Sequence, residues 1–132
     1  MSARPPRRRG ERGSTTTEAV LVTPALIFLV MLVVQFGLWF HAQHVAQAAA
    51  EEGARAGRAE RGSSAAGRDR TNAFLDQAGP TILTGRQVTV GRTPEAVTIT
   101  VGGRSRQVVP GYSLPIRAVA SSPLERFRSE DG

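Results

Sequence analysis

Twenty-two successive positions, Ala19 to Phe40, carry no formal charge and are filled mostly by Leu, Val, Ile, Phe and Ala. At ~1.5 Å per residue a helix of that length reaches about 33 Å, enough to cross a hydrocarbon core of about 30 Å. A chain of 132 residues could hardly cover such a helix on all sides. The pattern therefore predicts a membrane span rather than a core helix. Trp39, Phe40 and His41 close the run, where amphipathic rings favour the membrane interface.

The polar and apolar positions beyond the span change character twice. Ala42–Ala59 is rich in alanine and free of proline, so the helix should continue as a stalk and end near Gly62. Small residues recur every three or four positions at Ala42, Ala46, Ala49, Gly53 and Gly57. Such a seam admits another helix backbone, although a plain solvated alanine-rich helix has the same composition. Residues 61–67, Arg-Gly-Ser-Ser-Ala-Ala-Gly, read as a linker. Asp69–Ala78 predicts a short helix stopped by Gly79-Pro80, with Ala73, Phe74 and Leu75 on its apolar side.

A period of two then takes over. Val88 and Val90 alternate with Gln87 and Thr89, and Val97, Ile99 and Val101 with Thr98 and Thr100. Gly91–Glu95 would be the loop between these strands. Gly102-Gly103 suits a two-residue hairpin turn into a third strand, Arg104–Val109. Tyr112, Leu114, Ile116 and Ala118 suggest a fourth, proline-interrupted edge strand. Residues from Ser121 read as a polar tail. The expected class is an α+β membrane protein: a long transmembrane and stalk helix, then a small head with a short helix and three or four antiparallel strands.

Charge fixes the orientation this layout implies. All 17 basic residues are arginine, against 11 acids. Arg4, Arg7, Arg8, Arg9 and Arg12 precede the span with only Glu11 against them, and the rest of the chain is nearly balanced. A basic arm beside an apolar span stays cytoplasmic, which places the head outside the cell. The calculated pI of 11.5 would suit nucleic acid, but with 5% aromatic residues there is little surface on which to stack bases. Nucleic acid is not expected as a partner. No cysteine is present, which excludes disulfides and thiolate metal sites.

Other chemistry is sparse. His41 and His44 lie three apart on one helix face without a nearby carboxylate or cysteine to complete a metal site, so interfacial packing is the better reading. No nucleophile elbow, triad context or phosphate loop is present, and no enzymatic activity is expected. Arg104 and Arg106 read as a solvated strand face or an edge guard.

One residue does not fit a plain anchor. Glu18 puts a carboxylate at the mouth of the apolar run, where burial of a charge is costly. The stretch Gly13-Ser14-Thr15-Thr16-Thr17-Glu18 resembles the processing site of type IV pilins, in which a prepilin-type peptidase cuts after the glycine and glutamate is the fifth residue of the product. A free amine on Ser14 and a carboxylate on Glu18 could pair between neighbouring subunits, lowering the desolvation cost of both and fixing one axial register. Pro24 removes a backbone donor and frees the carbonyl of Val20, so a bend in the first turns is expected, although proline is often merely tolerated in membrane helices.

A narrower resemblance spans residues 12–60. Glu18-Ala-Val-Leu-Val-Thr-Pro24, Gln35-Phe-Gly37 and Ala48-Ala-Ala-Glu-Glu-Gly-Ala-Arg-Ala-Gly57 are similar to the TadE-like family of pilus assembly proteins. Ala19 stands where that family often has an aromatic residue, and Glu51 where it usually has arginine. The resemblance implies a pseudopilin: a minor structural subunit or assembly factor of a bacterial Tad/Flp-type pilus or related secretion system, with no cofactor.

Pattern and resemblance together give five expected regions, namely a leader (1–13), a processing motif with the transmembrane helix (14–41), a stalk (42–62), a head (63–120) and a tail (121–132). The implied sites are Gly13 and Ser14 for processing and Glu18 for register and assembly. The implied partners are the bilayer, the prepilin-type peptidase, other pilin-like subunits and pilus assembly membrane proteins. Location would be the cell membrane, single-pass. Two alternatives stay open: an exported soluble binding domain released by signal peptidase near Ala48, and an uncleaved anchor with an adhesive head.

Overall fold

The computed structural model describes residues 2–3, 11–59 and 63–124, the first four residues of the long helix by backbone alone. The leader between Arg4 and Gly10, the stalk end near Gly62 and the tail beyond Leu124 lie outside the described residues. Helix α1, Glu11–Ala59, is one unbroken element of 49 residues that passes through Pro24. Helix α2, Ser64–Ala78, folds back along it, and three strands follow: β1 (Leu83–Arg92), β2 (Ala96–Ser105) and β3 (Pro115–Pro123). The sheet is antiparallel in the order β1-β2-β3.

From Ser63 to Gly67, the described part of the stretch read as a linker is the cap and first turn of α2. Ser63 caps it, its hydroxyl accepting the N–H of Ala66 at 3.2 Å, and Gly67 is buried against α1. The cap raises the helix content of a segment whose serines and glycines suggested a loop. The far end is as expected: Gly79 takes φ 132° and its N–H bonds the carbonyl of Leu75.

Gly102 and Gly103 do not form the expected hairpin turn; they lie inside β2, which runs on to Ser105. Gly102 pairs with Gln87 and Arg104 with Thr84, so Gly85 and Arg86 on β1 oppose Gly103 alone in a β-bulge. Gly85 supplies the positive φ, 58°. A Cβ on Gly103 would stand 2.8 Å from Leu83 Cδ2 and 3.2 Å from the carbonyl oxygen of Thr84. Glycine in a strand interior here marks a close backbone approach, not a hairpin.

It follows that Arg104–Val109 is not a separate strand: Arg104 and Ser105 end β2, and the described residues of the head hold three strands. Residues 106–114 form a loop, and the last strand is β3, whose prolines stand at its two ends rather than interrupting it. β3 also takes in Ser121 and Ser122, so the ordered head extends past the expected boundary at residue 120. Leu124 is tied by its N–H to the carbonyl of Glu95 at 2.8 Å.

The two helices cover one face of the sheet. Val97, Ile99 and Val101 of β2, with Ile116, Ala118 and Ala120 of β3, meet Leu75 of α2 and Ala42, Ala46, Ala49, Ala50 and Ala54 of α1. The outer face is polar, with Thr98 and Ser121 bonded across the strands. α1 runs antiparallel to β2: Gln35 reaches Ser105, and Gly57 lies beside Val97.

Candidate assembly helix and its junction with the head

The N-terminal part of α1 is uncovered on every side. Twelve large apolar side chains between Val20 and Phe40 are exposed, Leu21 at 70% and Val33 at 65% among them. Moving such side chains out of water is worth roughly 1.5–3 kcal/mol each when complete. Even at half that value the sum rivals the ~5–15 kcal/mol stability of a whole domain. Hydrocarbon or neighbouring helices must therefore cover this surface. The helix is long and apolar enough to cross a membrane.

Glu18 is exposed at the start of this stretch, without an ion-pair partner among the described residues. Gly13 and Ser14 lie in the first turn of α1 by backbone. Pro24 sits within the helix six residues past Glu18.

The small-residue seam is occupied by the chain's own head. Ala42, Ala46 and Ala49 are fully buried beneath the sheet. A Cβ on Gly53 would fall 1.8 Å from Thr71 Oγ1 and 2.9 Å from the carbonyl oxygen of Gly67. One on Gly57 would meet Val97 Cγ1 at 3.1 Å. The close helix crossing that the seam permits is thus made with α2, and Arg70 of α2 reaches Glu52 of α1 at 3.0 Å beside it. Such an exposed pair is worth at most ~1 kcal/mol, so the crossing rests on packing.

The sequence reading missed a second row on the same helix. Gln35, Trp39, Gln43 and Gln47 recur every four residues, and each donates a side-chain hydrogen bond to a main-chain carbonyl of the β2–β3 loop or β3. Gln35 Nε2 reaches Arg106 O at 3.1 Å, Trp39 Nε1 reaches Pro115 O at 3.1 Å, Gln43 reaches Arg117 O at 2.6 Å and Gln47 reaches Val119 O at 3.3 Å. Among the described residues β3 pairs only with β2, so its other edge would offer a template for a foreign strand. The row closes that edge. The signal was present as amides at i, i+8 and i+12 with Trp39 between, in a helix otherwise small or apolar.

Gln35 does more than the others. It is 1% exposed although it lies inside the apolar run. Its Oε1 accepts the N–H groups of Val108 at 2.7 Å and Val109 at 3.2 Å, and its Nε2 also reaches Ser105 Oγ at 3.4 Å. Trp39, expected as an interfacial anchor, is instead half-buried in the joint between helix and head. Phe40 stays exposed and stands edge-on to His44, ring centres 4.6 Å apart. His41 lines a small cavity with Leu38, Thr81, Ile82 and Arg106.

Residues 13–55 match the family of TadE-like proteins. The TadE-like segment takes in Glu18, Pro24, Gln35 and the stalk through Arg55, and stops before the α2–sheet head that the stalk carries. No curated protein and no solved structure matches the chain.

Proposed function

We propose that the protein is a TadE-like pseudopilin, a minor structural subunit or assembly factor of a bacterial Tad/Flp-type pilus or related secretion system. The observation that carries this reading is the TadE-like match over a helix whose apolar surface is exposed on every side behind Glu18. The basic leader stays cytoplasmic and the head is extracytoplasmic. A prepilin-type peptidase cuts between Gly13 and Ser14. The new amine of Ser14 then pairs with Glu18 of a neighbouring subunit, which sets axial register because a slipped pairing leaves both charges bare in a medium of low dielectric. Pro24 gives the helix a bend in the packed assembly.

The head adds a rigid, strand-edge-protected body held close to the membrane. Release by signal peptidase near Ala48 is disfavoured on structural grounds. It would strip Ala42 and Ala46 from the core and remove all four donors to the loop and β3. An uncleaved anchor keeps the fold intact but gives Glu18 no role.

The reading is tested in the host by deleting the gene and complementing it with the wild type or with Glu18→Ala, each carrying a photo-crosslinking residue at Leu21 or Val33. The wild type should restore piliation and cross-link to pilin-like subunits; Glu18→Ala should restore neither fully. Normal piliation in the deletion strain, and no cross-links from the complementing wild-type copy, would contradict the proposal.

A further inference from the structure

The β2–β3 loop reaches back along the apolar run, past the point where the span was expected to end. Val109 and Tyr112 line an apolar groove of about 450 Å³ together with Phe28, Leu32 and Phe36 of α1. From Phe40 back to Phe28 is about 18 Å along a helix. Were Phe40 at the membrane surface, the loop backbone held by Gln35 would lie about 7.5 Å or more inside the hydrocarbon, where open main-chain groups are not tolerated. The outer boundary of the membrane must therefore fall near Gln35, and the base of the head must meet it.

That base has the composition of an interfacial element. Val109-Pro110-Gly111-Tyr112 is a tight turn with Gly111 at φ 77° and the N–H of Tyr112 on the carbonyl of Val109 at 3.1 Å. Pro110 has no N–H to satisfy, and the N–H groups of Val108 and Val109 are already held by Gln35. The turn thus presents an apolar tip with little unsatisfied main chain, and Tyr112 is 52% exposed beside it. Arg104 and Arg106 flank the loop, both exposed, Arg104 also donating to Ser113 Oγ at 2.8 Å. Among the described residues the acid at this end is Asp76, which is paired with Arg86. Glu51, Glu52, Asp69 and Glu95 lie at the opposite end of the head.

We propose that the loop 106–114 is a second membrane contact, inserted in the interfacial layer of the head-side leaflet, with Pro110 and Tyr112 among the upper acyl chains and Arg106 on anionic lipid headgroups. The groove shared with Phe28, Leu32 and Phe36 makes this contact continuous with the span. An aromatic residue and arginines at headgroup depth are the residue types that favour that layer. The inference rests on α1 being a membrane anchor.

The chain has no cysteine, so single-cysteine variants of the full chain report one site each. Pro110→Cys, Glu95→Cys and Leu26→Cys, each carrying an environment-sensitive fluorophore, are reconstituted in vesicles of equimolar phosphatidylcholine and phosphatidylglycerol that contain headgroup- or chain-nitroxide lipids. The label at 110 should be quenched several-fold more strongly than that at 95, best by the headgroup nitroxide. Adding Arg106→Gln, or leaving out phosphatidylglycerol, should weaken that quenching. A label at 110 that behaves like that at 95, while 26 is quenched by chain nitroxides, would overturn the loop contact and leave the anchor standing. An unquenched label at 26 would overturn both.

Discussion

The side-chain oxygen of Gln35 accepts the backbone N–H of Val108 at 2.7 Å, which ties a residue inside the apolar run to a loop more than seventy residues away. The same amide also serves Val109 and Arg106, so one side chain satisfies three main-chain groups where helix and loop meet. It ties helix and head together at their junction.

Gln35→Leu should make the apolar run more apolar but strand the N–H groups of Val108 and Val109, at a cost of about 2–3 kcal/mol. Hydrogen exchange in detergent micelles should show Val108 and Val109 losing protection while residues 20–30 of the helix keep theirs. Unchanged protection at both amides would show that the clamp contributes nothing.

The two glycines of the stalk and span should respond oppositely. Gly53→Ala drives a methyl group into Thr71 and Gly67, and overpacking of that kind costs about 1–3 kcal/mol, more than the helix propensity it gains. Gly37 has nothing within 4 Å, so Gly37→Ala should leave the thermal midpoint of the isolated protein unchanged or slightly raised. A comparison of thermal melts for the two variants checks the sign of each.

The head should not fold without its stalk. Five alanines of α1 form the helical side of the core, and the row of donors along the β3 edge is on α1 as well. A fragment of residues 63–132 should show no cooperative melt, whereas residues 42–132 should melt cooperatively. A high, sharp transition in the shorter fragment would mean that the sheet and α2 suffice.

Gln43→Ala with Gln47→Ala should uncover the carbonyls of Arg117 and Val119 on the β3 edge. Each bond is at the surface, so the pair should cost only about 1–2 kcal/mol in stability. The larger effect should be self-association through the bared strand edge, read as a concentration-dependent rise in mass by analytical ultracentrifugation.

How far the sequence spoke depended on the range of the force involved. The long apolar helix was legible because so long an uncharged run must be kept from water, and Glu18 stood out because a charge there is expensive. The α+β class followed from the change from helical to alternating patterning. Local ambiguity produced the errors: Gly102-Gly103 reads as a turn until Leu83 is known to lie over it, and Ser64–Gly67 reads as a linker until Ser63 caps it. Arg104–Val109 looked like a strand, but beyond Ser105 its main chain turns to Gln35 instead of a neighbouring strand. The amide row was hidden because each glutamine is unremarkable alone, and its meaning depends on a strand edge some seventy residues further on.

The central claim is that Glu18 belongs to a processed, assembling helix rather than to a plain anchor. It is tested most directly by the N-terminal sequence and intact mass of the protein purified from its host's membranes, with Glu18→Ala alongside. The account predicts a membrane-bound chain that begins at Ser14, the variant then separating a role in cleavage from one in assembly. A chain that still carries the leader, or a soluble one beginning near Ala49, would contradict it.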